Sequence, residues 1–517
     1  MKNLSSLKTF YLVIFSVLFL LSGKTNDVNA SEAVAPKREF RGAWLHVIGQ
    51  NQWMNKSPLQ QREYIVDQLD KLVSAGCNAV IFQVRPTADA LYKSDKEPWS
   101  AWLTGKRGKA PSEDWDPLEF VIEEAHRRGL ELHAWLNPYR VTSSSNDILP
   151  KDHLYNSEPH RFVRFNGQTF FDPAYQENRE YISDIVADIV TRYDVDAIHF
   201  DDYFYPYPSG NSKFDGDGAS YAKFGNGKNK GDWRRENVDK LIELVSRTIK
   251  DIKPWVRFGI SPFGIWRNKS SDVRGSESGG LQNYDDLYAD VILWAEKGWI
   301  DYLAPQLYWN LDLKVAPTRK LAKWWNDNTP EGCDLYIGYD VKRTMDSPTA
   351  DDRNELATKV NLSRSLPKVK GNIWWHGYWV TDNYKGTLDS LASTHQASLA
   401  LPPVYGNGSF KPERITNLRA DKIDDIPVIT WDFPDDFSGF NAPDAPKEMK
   451  ETDPVKFVVY EFFMDEEIDL DDPEAIIAIT PLNAVRIDSA EPGSVFIVTS
   501  VDRMNRESDP SQRLIIK

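Results

Sequence analysis

The chain has 517 residues, 41% hydrophobic and 27% charged, which describes a globular protein too long for one ordinary core. Its formal net charge of −15 argues against nucleic acid or an anionic membrane as partner. Residues 412–517 hold 24 acidic and 11 basic side chains, so the surplus belongs to the C-terminal part and says little about a substrate.

The first 30 residues read as an export signal. Lys2 and Lys8 precede an apolar run from Phe10 to Leu21, and Val28 and Ala30 are small residues suited to a cleavage point after Ala30. The expected location is the periplasm or the cell surface. No stretch reaches the ~18 apolar residues of a spanning helix, so no integral membrane span is expected. Cys77 and Cys333 are read as two buried thiols, with pairing the alternative in an exported chain.

From Glu39 to about residue 396 the sequence alternates strand and helix. Strands are expected at 40–47, 78–84, 131–137, 197–203, 257–264, 301–309, 334–340 and 372–380. Helices are expected at 57–76, between Asp116 and Gly129, and near 177–193, 233–251, 285–298, 316–327, 351–364 and 386–396. Ser57, Pro58 and Gln60 form a capping arrangement, repeated by Asp116, Pro117 and Glu119. The strands are continuously apolar rather than alternating, as a buried parallel sheet demands. Eight such units over residues 38–400 specify an α/β fold, a (β/α)8 TIM-type barrel with enlarged loops. A doubly wound open sheet is the rival, but no glycine-rich phosphate turn follows the first strand.

The pattern breaks at Leu401-Pro402-Pro403, and residues 401–411 read as a linker. Residues 412–517 then carry short strands separated by turn residues, the signature of a small all-β immunoglobulin-like sandwich, with Trp431 and Tyr460 as core aromatics. The acidic run 463–475 reads as a solvated loop.

Barrels of this kind collect function at the C-terminal ends of their strands. The segment Tyr193–Tyr207 is the focus, since a buried strand there delivers Asp201 and Asp202 into a run of aromatics that includes Tyr203. Paired acids can move protons at a glycosidic bond, and aromatic faces stack on sugar rings. The other strand ends offer Arg85, Asp89, Asn137, Arg140, His199, Gln306, Tyr308 and Trp309. If the fourth strand persists, Asp201 and Asp202 point to opposite sides. Asp201 then shares the inward face of His199 and is preferred as the principal acid, and Asp202 is left to pair with Arg85 or Arg140. Asp89 is the candidate second carboxylate, with Glu97 its rival. No glutamate closely follows strands five to eight, unusual for a two-carboxylate glycosidase. His199 and Asp201 share a face, but no repeated histidine spacing completes a ligand set, so neither a metal nor a cofactor is expected.

The segments 80–92, 98–105, 116–141, 192–208, 258–268 and 294–310 together resemble the glycosyl-hydrolase-like 10 family, over roughly residues 38–400. The C-terminal module resembles a fibronectin type III domain. The first resemblance implies an exported barrel hydrolase with a polysaccharide substrate, in part of the family the peptide-free glycan strands of peptidoglycan. Positions matching its motifs are Arg85, Asp89, Asn137, Arg140, His199, Asp201, Asp202, Gln306 and Tyr308.

The expected function is therefore glycoside hydrolysis. One of Asp89, Asp201 and Asp202 serves as general acid and a second as base or nucleophile. Arg85 and Asn137 position the sugar, while Tyr308 and Trp309 stack on it. The alternative is a non-catalytic glycan-binding protein on a barrel scaffold.

Overall fold

A computed structural model describes residues 35–517, apart from 55, 350–352, 407–409, 441–448 and 489. The expected signal segment lies outside the described residues. Eight parallel strands close into a barrel: β1 Phe40–Leu45, β2 Ala79–Arg85, β3 Glu131–Leu136, β4 Ala197–Phe200, β5 Arg257–Ile260, β6 Tyr302–Leu303, β7 Asp334–Asp340 and β8 Val369–Trp375. They neighbour one another in chain order, and β1 pairs with both β2 and β8. The TIM-type architecture is present, with all-β sheets behind it. Among the described residues no helix is long and apolar enough to cross a membrane.

Local chemistry explains the boundaries that were legible. The helix Pro58–Ser74 starts on a complete capping box between Ser57 and Gln60, and Asp116 caps Pro117–Arg127 by accepting from the Leu118 and Glu119 amides. Other boundaries shift for identifiable reasons. The sixth strand shrinks to two residues because Pro305 follows, a residue without an N–H to continue the ladder; pairing resumes only as isolated bridges at Gln306. The expected helix 285–298 splits into Asn283–Asp286 and Val291–Glu296 around Tyr288, whose φ is +54°. Tyr288 gives up the helix to accept from Arg234 Nη1 at 2.7 Å and to stack against that guanidinium. The fourth strand stops at Phe200, three residues early.

Aromatic rings in layers fill the barrel interior. Phe40 stacks on Tyr336 at 4.1 Å beside His133 and Tyr302, and Trp44, Trp135, Tyr308 and Trp375 lie in the same core cluster. Such rings fit only where a facing position lacks a side chain. A Cβ on Gly259 would stand 1.9 Å from the Tyr302 ring, and one on Gly338 would stand 2.8 Å from Trp44. The layering therefore fixes these glycines by exclusion.

The C-terminal strands are β9 Thr416–Ile423, β10 Ile426–Asp432, β11 Pro454–Phe463, β12 Ile476–Thr480, β13 Ala484–Arg486, β14 Ser494–Asp502 and β15 Leu514–Ile515. They form a three-stranded sheet, β9-β10-β13, and a four-stranded sheet, β12-β11-β14-β15. Trp431, Phe457 and Phe496 pack in one cluster, while Val458, Tyr460 and Phe462 pack in another with Leu401. Strand β11 is buried on both faces, which is why its sequence does not alternate. Leu401, expected in a linker, is fully buried in that second cluster.

Barrel and sheets belong to one compact unit. The sheets reach the N-terminal end of the barrel: Asn505 Nδ2 donates to Glu131 Oε1 at 2.7 Å, Arg503 pairs with Asp194 at 2.5 Å, and Arg38 pairs with Glu507 at 2.8 Å. Cys77 and Cys333 are free buried thiols, and burial pushes the Cys77 thiol up to about 12. Ordinary thiol reactivity is suppressed there.

Candidate active site

Because β4 ends at Phe200, Asp201 and Asp202 stand where sheet gives way to loop. The expected opposite orientation of the two acids needs a continuing strand, and the strand does not continue. Each residue is only 3% exposed, and Asp202 lies in the field of the Asp201 carboxylate. They share one environment but are held very differently.

Asp201 is well anchored. Trp135 Nε1 donates to Oδ2 at 3.0 Å, and Asn137 Nδ2 donates to Oδ1 and Oδ2 at 3.1 and 3.2 Å. Burial raises its carboxyl above the usual aspartate range, while the Arg140 guanidinium and these donors pull it back. Asp202 has less to hold its charge. Tyr207 donates its hydroxyl to Oδ2, and the Gln306 side chain adds a second favourable contact. Burial, and next the Asp201 charge, push the Asp202 carboxyl up to about 7. Two adjacent buried acids are thus held unequally, Asp202 pushed up by burial and the Asp201 charge, and Asp201 pulled back by Arg140 and its donors. That is the division of labour acid–base chemistry requires.

Arg140 supports this pair rather than forming a salt bridge with Asp202. Its backbone N–H donates to Asn137 Oδ1 at 2.9 Å, its Nε donates to the Pro86 carbonyl at 3.3 Å, and its guanidinium lies 4.7 Å from the Tyr203 ring centre. Among the described residues no salt bridge within 4.0 Å reaches either Asp201 or Asp202. Gln306 Nε2 donates to the Ser261 carbonyl at 2.8 Å. Tyr308 lies nearly parallel to Trp375, 6.1 Å between ring centres at 10°, and Trp309 meets Phe263 edge-on at 5.3 Å. Gln306, Tyr308, Trp309 and Trp375 are half-buried, and Tyr203 is exposed.

Three expected site residues, Arg85, Asp89 and His199, are fully buried and held by other partners. Arg85 is fully buried and forks onto Glu97, with Nε–Oε2 at 2.7 Å and Nη2–Oε1 at 2.6 Å, and it also donates to the Asn137 and Pro138 carbonyls. It therefore braces the loop that carries Asn137 and is not free to pair with Asp202. Glu97 is spent in the same bridge. Asp89 is also fully buried: its Oδ1 accepts from the Thr87 amide and hydroxyl at 3.1 Å each, and its Oδ2 faces Arg107 Nε at 3.4 Å. Both acids are thus already engaged by arginines.

His199 is enclosed as well. Trp44 Nε1 donates to its Nε2 at 3.2 Å, and Ser261 Oγ lies 2.9 Å from the same nitrogen. The ring proton then falls on Nδ1, which donates to Tyr302 Oη at 2.9 Å; Tyr302 in turn donates to His133 Nδ1 at 2.8 Å. Burial holds His199 well below the usual imidazole range, so it is a neutral column residue. Among the described residues no group of three His, Cys, Asp or Glu side chains is placed to hold a metal.

Two contributors were missed in the sequence. Trp135 lies on β3 two residues before Asn137, which follows the strand end, and both donate to Asp201; the i, i+2 spacing was a legible signal. The Asn166-Gly167 dipeptide lies between two apolar runs and makes a hairpin of Phe162–Phe165 and Gln168–Phe171. This hairpin forms a wall beside the loop after β4, where only a long loop was expected.

The family model described as Glycosyl hydrolase-like 10 matches residues 39–354. Glycosyl hydrolase YngK of Bacillus subtilis (strain 168) is 36% identical over 494 residues, covering 92% of this chain and 93% of that protein. Glycosyl hydrolase DigH of Escherichia coli (strain K12) is 40% identical over 363 residues, covering 65% of this chain and 82% of that protein. Among solved structures, the PgaB (BpsB) glycoside hydrolase domain from Bordetella bronchiseptica aligns with 71% of this chain and 100% of its own, at 12% identity and a TM-score of 0.43. With the family model covering more than half of its length, this chain belongs to the glycosyl hydrolase-like 10 family.

Proposed function

We propose that the protein is an exported glycoside hydrolase that cleaves a polysaccharide by carboxylate chemistry. Peptide-free peptidoglycan strands are the leading substrate. Asp202 is the general acid that protonates the leaving oxygen, and Asp201 stays ionised to stabilise the oxocarbenium-like centre or activate the attacking group. The carrying observation is the buried pair with unequal anchoring, in which Asp202 is pushed up to about 7 while Asp201 keeps its amide and indole donors. Asn137 and Arg140 hold Asp201 in place, Gln306 contacts Asp202 and Tyr308 and Trp309 offer aromatic faces to the sugar. Tyr203 and the half-buried Trp375 extend that apolar rim. We assign Arg85, Asp89 and His199 to the support of this site rather than to contact with substrate.

The names of the relatives support a glycan as substrate, and the N-terminal charge and apolar pattern supports export to the periplasm or cell surface. The three-plus-four strand order supports reading the C-terminal sheets as a fibronectin type III-like sandwich.

Released reducing ends would be measured on peptide-free murein strands and on a panel of other glycans. Turnover by the wild type, lost in Asp202→Asn with binding retained, supports enzyme and site together. Binding without turnover on every glycan would move the assignment to a glycan-binding protein.

A further inference from the structure

Beside the acid pair lies a cavity of about 240 Å³, walled by the hairpin on one side and by the loop after β4 on the other. Phe165, Asn166 and Gln168 come from the hairpin; Tyr203, Tyr207 and Ser209 come from the loop. Tyr207 joins the cavity to the chemistry, because its ring lines the wall while its hydroxyl donates to Asp202. We propose that this cavity is the subsite for one uncharged pyranose unit flanking the cleavage point, which fixes the register of a glycan strand. The inference rests on the glycosidase reading above.

Three observations carry it. The volume falls below the roughly 300–1,000 Å³ of a drug-sized pocket, so it suits one ring rather than an oligosaccharide. The walls combine aromatic and proline faces with two amides and a hydroxyl, the mixture that binds a sugar's C–H face and its hydroxyls. None of the described residues lining it is charged, so a carboxylate-bearing sugar would lose hydration without gaining a cation. On a strand that alternates neutral and acidic sugars, the neutral unit sits here and the acidic unit is left outside.

Two variants test this without touching the acids. Ser209→Trp fills the cavity from an exposed position. Asn166→Gly removes an amide at a residue whose φ is +48°, a conformation glycine accepts freely. Each would be placed in the Asp202→Asn background, and the Kd measured for uncharged β-linked oligosaccharides. Wild-type and Asp202-intact variants would be assayed in parallel for KM on long strands and kcat on a short aryl glycoside. Ser209→Trp should weaken binding and raise KM about tenfold, with kcat on the short substrate unchanged, and Asn166→Gly should act in the same direction but more weakly. Unchanged Kd and KM in both variants, with the parent still binding and turning over, would overturn the subsite alone. Absence of turnover in the wild type would instead overturn the hydrolase reading, and the Kd comparison would still decide whether the cavity holds a sugar.

Discussion

One barrel holds two sets of acids in opposite ways. At the N-terminal end three carboxylates each have a cation: buried Glu131 meets Arg257, buried Glu39 meets both Arg41 and Arg364, and half-buried Asp194 meets Arg503. All three carboxyls are held below their usual range by those guanidinium groups, despite burial that acts the other way. At the C-terminal end Glu97 and Asp89 keep Arg85 and Arg107, but the buried Asp201 and Asp202 have no salt bridge among the described residues and are pushed upward. Burial supplies the same penalty at both ends, so the partner decides the sign. The three lower acids are held charged and fixed, and the upper pair is left, among the described residues, without a salt-bridged cation to hold its charge.

Neutralising an acid at each end should give different losses. Asp202→Asn should lower turnover by roughly 10²–10⁴-fold, the usual range for removing a positioned acid–base group. Asp201→Asn should cost a similar factor, read from initial rates of reducing-end release. If either variant keeps near-normal rates, the upper pair is only structural. On the lower end the equivalent change is Glu131→Gln, which leaves Arg257 buried without its counter-charge and should cost about 3–5 kcal/mol in urea unfolding. A change below about 1 kcal/mol would mean that the lower pair holds nothing together.

Stability should also separate the ends by pH. The folded state binds the Asp202 proton more tightly than the unfolded chain, whose carboxyl has the ordinary value of 3.8. Its contribution is fully present below pH 3.8 and is lost as pH rises through about 7, by at most ~1.4 kcal/mol per pH unit. Asp202→Asn should therefore unfold at a higher temperature than the wild type at pH 8 and at nearly the same temperature at pH 4. The lower acids have depressed values, so their contribution persists above the ordinary carboxylate range and fades only as the medium turns strongly acidic. An Asp202→Asn melting difference that does not change between pH 4 and pH 8 would remove the electrostatic distinction.

The barrel was legible because its signals are local: capping boxes, glycine stops and continuous apolar strands are written into neighbouring residues. The acids Asp201 and Asp202 were legible for the same reason, as adjacent residues at a strand end. What could not be read was which rim residues face one another. Arg85 and Asp89 occupy strand-end positions typical of a site, yet Glu97 and Arg107 claim them through tertiary contacts. The alternation argument for Asp201 and Asp202 failed at a boundary error of three residues. Tyr288 shows the same limit in a helix, where a guanidinium from a distant segment overrode the local pattern.

The smallest effect, and the most specific, concerns the contact between the sheets and the barrel. Asn505 donates to Glu131 Oε1 at 2.7 Å from a buried position with φ of +59°. Asn505→Ala removes the donor and also places an alanine in the left-handed region, where L-residues pay roughly 1–2 kcal/mol. Asn505→Gly removes the donor alone. The glycine variant should lose about 1–3 kcal/mol for the unmet carboxylate oxygen, and alanine about 1 kcal/mol more. Turnover at the opposite end should remain unchanged in both. If glycine unfolds like the wild type while alanine does not, the amide carries no load and only the turn geometry matters. If both lose stability in a single transition, the C-terminal sheets brace the charged end of the barrel rather than act as a spacer.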